Sequence, residues 1–149
     1  MATSAELNAW ATNLFSNGLP AITQALKYWN FRYVTSTTRT VSKERRGEKT
    51  KTVTTPFTFD QTYADKLLTT ACDAVGSARS TLSGLLSSSN VNPATASKIT
   101  SSFDATVKPL FDFQKNTGGT VPNPSALDKQ IFNWFSMNIT GKFLKSLDI

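Results

Sequence analysis

A chain of 149 residues, 39% of them apolar, is long enough for one domain with a full core and short for two. A single cysteine, Cys72, and the absence of histidine exclude a disulfide framework, Cys-based or imidazole zinc sites, and Ser-His or Cys-His catalysis. The net charge of +6, from 16 Lys and Arg against 10 Asp and Glu, points toward an anionic partner, and an enzyme is the least expected class.

Ser4 reads as an N-cap, and Leu7, Trp10, Ala11, Leu14 and Phe15 follow at helical spacing. They predict a helix over about 4–17 that Gly18 stops. Pro20 opens a second helix, over about 20–30, with Ile22, Ala25, Leu26 and Trp29 as its stripe. From Phe31 to Phe59 the chain turns rich in Thr, Val and aromatics, which favours a β-hairpin over about 31–59, turning at Arg46-Gly47. A two-residue loop there sets Arg45 against Glu48 and Glu44 against Lys49. A three-residue loop would oppose like charges at up to about 1 kcal/mol per pair, so the first register is expected. It places Val34, Val53, Phe57 and Phe59 on a packing face and Thr37, Arg39, Lys43, Thr52 and Thr54 on a wet, basic one. Pro56 confines the second strand to an edge or ends it.

Asp60 caps a long helix over about 61–87, whose stripe runs Tyr63, Leu67, Leu68, Ala71, Val75, Ala78, Leu82, Leu85 and Leu86. Gly76 and Gly84 weaken it or permit a close helix neighbour. Asn92-Pro93 opens a helix over about 93–114 bearing Ala96, Ile99, Phe103, Val107 and Leu110, which Pro109 should kink or close near Thr106. A long loop covers 116–124. Ser125, with Asp128 three residues on, resembles a capping box. The amphipathic helix that follows, with Leu127, Ile131, Trp134, Phe135, Asn138 and Ile139, runs to near Gly141, and the tail adds a further turn to about 146. The expected architecture is a single mainly α domain spanning 1–149: a four-helix-bundle-like core with one projecting basic β-hairpin.

The charge is lopsided. Lys27, Arg32, Arg39, Lys43, Arg45, Arg46, Lys49 and Lys51 face only Glu44 and Glu48, a local balance of +6, while the remaining eight cations and eight anions cancel. Such clustering is an electrostatic footprint for phosphate, and Arg32, Arg39, Lys43, Arg45, Arg46, Lys49 and Lys51 are the candidate contacts. Tyr28, Trp29, Phe31 and Tyr33 lie among them, where aromatics can stack bases. They read equally well as core. A solvated tip kept basic to guard a sheet edge is the alternative for the charges.

No phosphate-binding loop or dinucleotide fingerprint is present. Asp65, Asp73, Asp104 and Asp112 are the only carboxylates positioned for acid–base or metal work. The first two share a helix face but stand about 12 Å apart, too far for a metal pair, and read as solvated charges. Cys72 reads as a small buried hydrophobe. Arg79, the one arginine outside the basic segment, borders a small-residue surface of Asp73, Gly76, Ser77 and Ser80 that a nucleic-acid strand or another subunit can approach closely. The start of the chain, Met1 to Glu6, lacks the basic and apolar regions of a signal peptide, so the Asn138-Ile139-Thr140 triplet carries no expectation of glycosylation. Apolar runs are too short to span a membrane.

Ala9-Trp10-Ala11, Thr38-Arg39-Thr40-Val41, Thr52-Val53, Phe57-Thr58-Phe59-Asp60 and Ser77-Ala78-Arg79 fall in an order that resembles the coat proteins of rod-shaped plant viruses, the tobamovirus-like group. The resemblance spans roughly residues 9–86 and implies a four-helix core whose subunits stack helically around single-stranded RNA, with Arg79 a phosphate contact. The chain departs from that family in carrying the Thr-rich basic hairpin where a helix would stand.

The sequence therefore predicts a viral coat or nucleocapsid subunit, in virions and the host cytoplasm, that self-associates in many copies and packages single-stranded RNA. It predicts no cofactor, metal or membrane. Two other readings stand beside it: a small soluble RNA-binding accessory protein, and a virion or tail subunit whose hairpin locks onto an acidic groove of its neighbour without touching nucleic acid.

Overall fold

The computed structural model describes residues 3–41 and 51–144. Helix α1 (Ser4–Asn13) is capped by Thr3 rather than Ser4: Thr3 Oγ1 accepts the Glu6 backbone N–H at 3.2 Å. Gly18 does not stop the helix. The backbone stays right-handed helical at Asn13, Leu14, Gly18 and Leu19, so α1, a π-type stretch at Leu14–Gly18 and α2 (Leu19–Trp29) form one continuous rod. Pro20 explains the wide turn. A proline inside a helix donates no hydrogen bond and its ring presses on the carbonyl four residues back. Here the Leu19 N–H reaches five residues back, to Leu14 O, and the widened turn accommodates the ring. A Cβ at Gly18 would lie 3.2 Å from Leu14 Cδ1, so the leucine would have to give by a few tenths of an ångström to admit one.

Strands β1 (Ser36–Val41) and β2 (Lys51–Pro56) pair antiparallel as a two-stranded ribbon. Every described pair is one residue off the expected register: Thr37 faces Thr55, Arg39 faces Val53 and Val41 faces Lys51. Paired positions share a face, so Val53 does not lie on the face opposite Arg39 as expected. Phe57 donates its N–H to Thr35 O at 2.9 Å and its ring meets Phe31 at 5.8 Å, fixing the ladder from the bundle end with more than a cross-strand ion pair is worth. The expected turn at Arg46-Gly47 lies outside the described residues. The expected division of faces nevertheless shows in burial: Val34, Val53, Phe57 and Phe59 are half-buried, whereas Thr37, Thr52 and Thr54 are exposed.

Helix α3 (Gln61–Ser87) starts at Asp60, whose Oδ1 accepts the Tyr63 N–H at 3.0 Å. Its expected stripe is buried from Leu68 to Leu86, joined by Ala64 and Cys72, while Leu67 is half-buried and Tyr63 is exposed. Helix α4 (Pro93–Lys115) is capped by Asn92 and buries Ile99, Phe103, Val107, Leu110 and Phe113. It does not close near Thr106 but continues as α-helix past Pro109; that proline and Ala105, whose carbonyl it leaves without its helical donor, are both exposed. Helix α5 (Pro124–Trp134) continues through Gly141 as a π-type stretch, Phe135–Leu144. Its cap is Asn123, whose side chain accepts from Ala126 N at 3.0 Å, with Pro124 at the first helical position. Ser125 is thus inside the helix, and the expected capping box does not form.

The fold is mainly α, four helical rods with a small antiparallel hairpin. Helix α3 packs between α2 and α4, and α5 closes the ring against α4 and α2. Three indole N–H groups tie neighbouring rods. Trp10 donates to Ala78 O at 2.8 Å and Trp29 to Ala64 O at 3.0 Å, while Trp134 donates to Ser102 Oγ at 2.8 Å. The first two bonds show the first rod running antiparallel to α3. None of the described helices is long and apolar enough to cross a membrane. Asn123→Ala is expected to lower stability by about 1 kcal/mol through loss of the cap, and Ser125→Ala by less than about 0.5 kcal/mol, measured by urea denaturation of both variants.

Candidate nucleic-acid interface

The hairpin is rooted in an aromatic cluster. Trp29, fully buried at the end of α2, meets Phe59 and Phe113 edge-on, each at 5.4 Å. Tyr28 stacks on Phe59 at 5.0 Å, meets Tyr63 edge-on at 4.9 Å, and accepts the Asp60 N–H on its hydroxyl at 2.9 Å. The ends of α2 and α4, the start of α3 and the short segment that links β2 to α3 therefore converge on one end of the bundle. The aromatics that sequence left ambiguous separate here: Trp29 is core, Tyr28 half-buried, and Phe31 and Tyr33 are in the open, 44% and 80% exposed.

Between α2 and β1 the chain makes tight turns, with Phe31 N–H on Tyr28 O and Val34 N–H on Phe31 O, both at 2.9 Å. They aim Arg32 inward, where Nη1 donates to Thr117 O and Nη2 to Gly119 O, the latter at 2.6 Å. Its guanidinium also lies over the Tyr33 ring, 4.8 Å from the centroid. Those two amino groups are engaged within the molecule. Arg32 clamps the hairpin root to the loop between α4 and α5. Nothing in the local sequence announced this bond, whose partners lie 85 and 87 residues away.

Arg39 and Lys51 lie on the paired strands, at positions facing Val53 and Val41. Lys43, Arg45, Arg46 and Lys49 lie outside the described residues. Arg79 stands apart from all of these, about 24 Å of helix rise beyond Tyr63. Its guanidinium forks onto Asp104 of α4, Nε to Oδ1 at 2.8 Å and Nη2 to Oδ2 at 3.0 Å. The carboxylate raises the arginine's pKa, by hydrogen bonding first and charge second. The predicted site residues thus divide into the arm and a separate interhelical ion pair.

The small-residue surface beside Arg79 is an open groove of about 800 Å³ between α3 and α4, with Asp73, Gly76, Ser77 and Ser80 on one wall and Phe111 and Gln114 on the other. A Cβ at Gly76 or Gly84 would meet nothing within 4 Å, so neither glycine serves a close helix contact inside the chain. Cys72 is buried at the groove's base, and burial, with a smaller contribution from Asp73, pushes its thiol up to about 11. At neutral pH it is a protonated, poor nucleophile. Asp112 pairs with Lys108 at 2.6 Å and Asp65 accepts from Gln61 at 3.0 Å, ordinary surface partnerships.

No protein-family model matches the chain, and no curated protein or solved structure matches it.

The Arg79–Asp104 pair is half-exposed on both sides, so it is a modest, salt-sensitive lock. A double-mutant cycle with Arg79→Ala and Asp104→Ala is expected to give a coupling of about 0.5–1 kcal/mol at low salt, shrinking as salt is added.

Proposed function

We propose that the protein is a coat or nucleocapsid subunit of a virus, which assembles in many copies and packages single-stranded RNA through its basic arm. The observation that carries this reading is the separation of charge from body. Outside the segment from Lys27 to Lys51 the chain's eight cations and eight anions cancel, so the whole +6 lies in that segment. Its described part runs from the end of α2 into β1, which pairs with β2 as a two-stranded ribbon whose described residues are almost all exposed. A ribbon of this kind buries too little apolar surface to be stable alone, and its threonines and cations suit a polyanion better than a core. Phosphate neutralisation with release of counterions would supply affinity without sequence preference. Arg79 belongs to this interface only if it leaves Asp104, so the arm is the principal contact.

Self-association draws on a second surface. Phe132 and Met137 are both prominently exposed on the last rod, Phe132 edge-on to Phe15 at 6.2 Å. Large apolar side chains projecting together are a protein-contact signature, and a heterologous contact repeated from copy to copy builds a rod or filament. The order of elements, resembling the tobamovirus-like coat proteins, supports the same reading, with the virion and the host cytoplasm as the proposed location. Asp73 on the rim of the groove between α3 and α4 favours a second reading, in which the arm docks in that groove of a neighbouring copy and binds no RNA.

Expression of the full chain and of Arg45→Glu with Arg46→Glu, followed by nuclease treatment and purification, separates these. The proposal expects protected RNA with the parent and none with the variant, read as absorbance at 260 nm. Full-length RNA retained by the variant removes the arm from packaging, and RNA-free assemblies of the parent favour the docking reading.

A further inference from the structure

Among the described residues, five large apolar side chains are exposed, and three of them, Phe31, Tyr33 and Tyr63, lie at the root of the basic arm. Tyr33 is the most exposed at 80%. One face of its ring is covered by the Arg32 guanidinium at 4.8 Å, and at that exposure the other face is open. Arg32 is in turn held by Thr117 and Gly119, so the ring rests on a support anchored to two elements. Phe31 leans on Phe57, tilted at 5.8 Å, and Tyr63 meets Tyr28 edge-on at 4.9 Å. Bare rings, braced from behind and placed where cations gather, are the arrangement that binds unpaired bases: the charges track the backbone while each base lies on an aromatic face.

We infer that the root of the arm is a stacking platform for unpaired nucleobases, with Tyr33 its principal surface and Arg32 its positioning residue. The inference rests on the proposed RNA-binding role and deepens it, naming the substrate as a strand with bases free to splay outward. A duplex, whose bases are stacked on one another, offers the platform nothing but phosphate. Lys115 at the end of α4 and Lys27 at the end of α2 add positive charge to the elements that meet at this end.

The test measures binding of a labelled oligouridine and of an RNA duplex of equal length by fluorescence anisotropy, using the full chain, Tyr33→Ala, Tyr33→Trp, and Arg45→Glu with Arg46→Glu. The single strand is expected to bind about tenfold or more tightly than the duplex. Tyr33→Ala is expected to remove most of that preference, leaving duplex affinity unchanged, and Tyr33→Trp to restore it. The arm reversal is expected to weaken both ligands together. Single-strand affinity unchanged in Tyr33→Ala overturns the platform while leaving the arm's role intact, as does equal loss for both ligands. If the parent chain binds neither ligand, the RNA-binding reading itself fails. If Tyr33→Ala instead disrupts association between copies, the aromatic surface is a protein contact and the platform is overturned. The exposure of Tyr33 keeps these substitutions clear of the core, which an unchanged thermal midpoint verifies.

Discussion

Trp29 is the residue on which the arrangement turns. Its indole fills the space where the first rod ends, α3 begins and α4 finishes, and its N–H bonds to the Ala64 carbonyl of α3. Phe59 and Phe113 close on it edge to face, and Phe59 belongs to the short segment that links β2 to α3. One buried ring therefore joins the bundle's packing to the position from which the arm departs. Truncating such a side chain costs about 3–5 kcal/mol, a large part of the stability of a domain this size. Trp10 and Trp134 repeat the device further along, meeting edge-on at 6.3 Å and each satisfying its N–H on an adjacent rod.

From that root the molecule divides into parts with different physics. The bundle is held by burial, with nearly every expected stripe residue inside and its surface charges in balance. The ribbon has strand pairing and little else, and the segment from Lys27 to Lys51 that leads into it carries the net charge. Arg32 mediates between them: a cation in the basic segment whose amino groups are turned back to hold the loop after α4. A charge that serves as a clamp still contributes to the field around the arm, while freeing the exposed face of Tyr33 for contact.

The helices were legible because burial imposes a 3.6-residue period, and the stripes on α3, α4 and α5 appear largely as read, with Tyr63 the exception on α3. Punctuation was less legible. Gly18 and Pro20 together look like a stop and a start, yet a π-type turn absorbs the proline and the rod continues. Asn123 capped α5 in place of Ser125 because Asn-Pro at a helix start outcompetes a serine one position inside it. The hairpin register was misread because charges at the tip were weighed and Phe57 at the root was not. At the candidate interface, the charge cluster was plain from composition alone. The inward turn of Arg32 and the Arg79–Asp104 fork were not, since their partners lie 25 to 87 residues away with no local pattern to betray them. The aromatics at 28–33 could be divided into core and surface only once the root was packed.

The central claim is that an arm bearing all of the excess charge engages the phosphates of a single strand. The salt dependence of single-stranded RNA affinity measures that directly, because each neutralised phosphate steepens the logarithmic slope by about 0.7. With six net charges in the segment, the account predicts a slope approaching about −4 for the intact chain. A slope near zero, with affinity indifferent to salt, would contradict it.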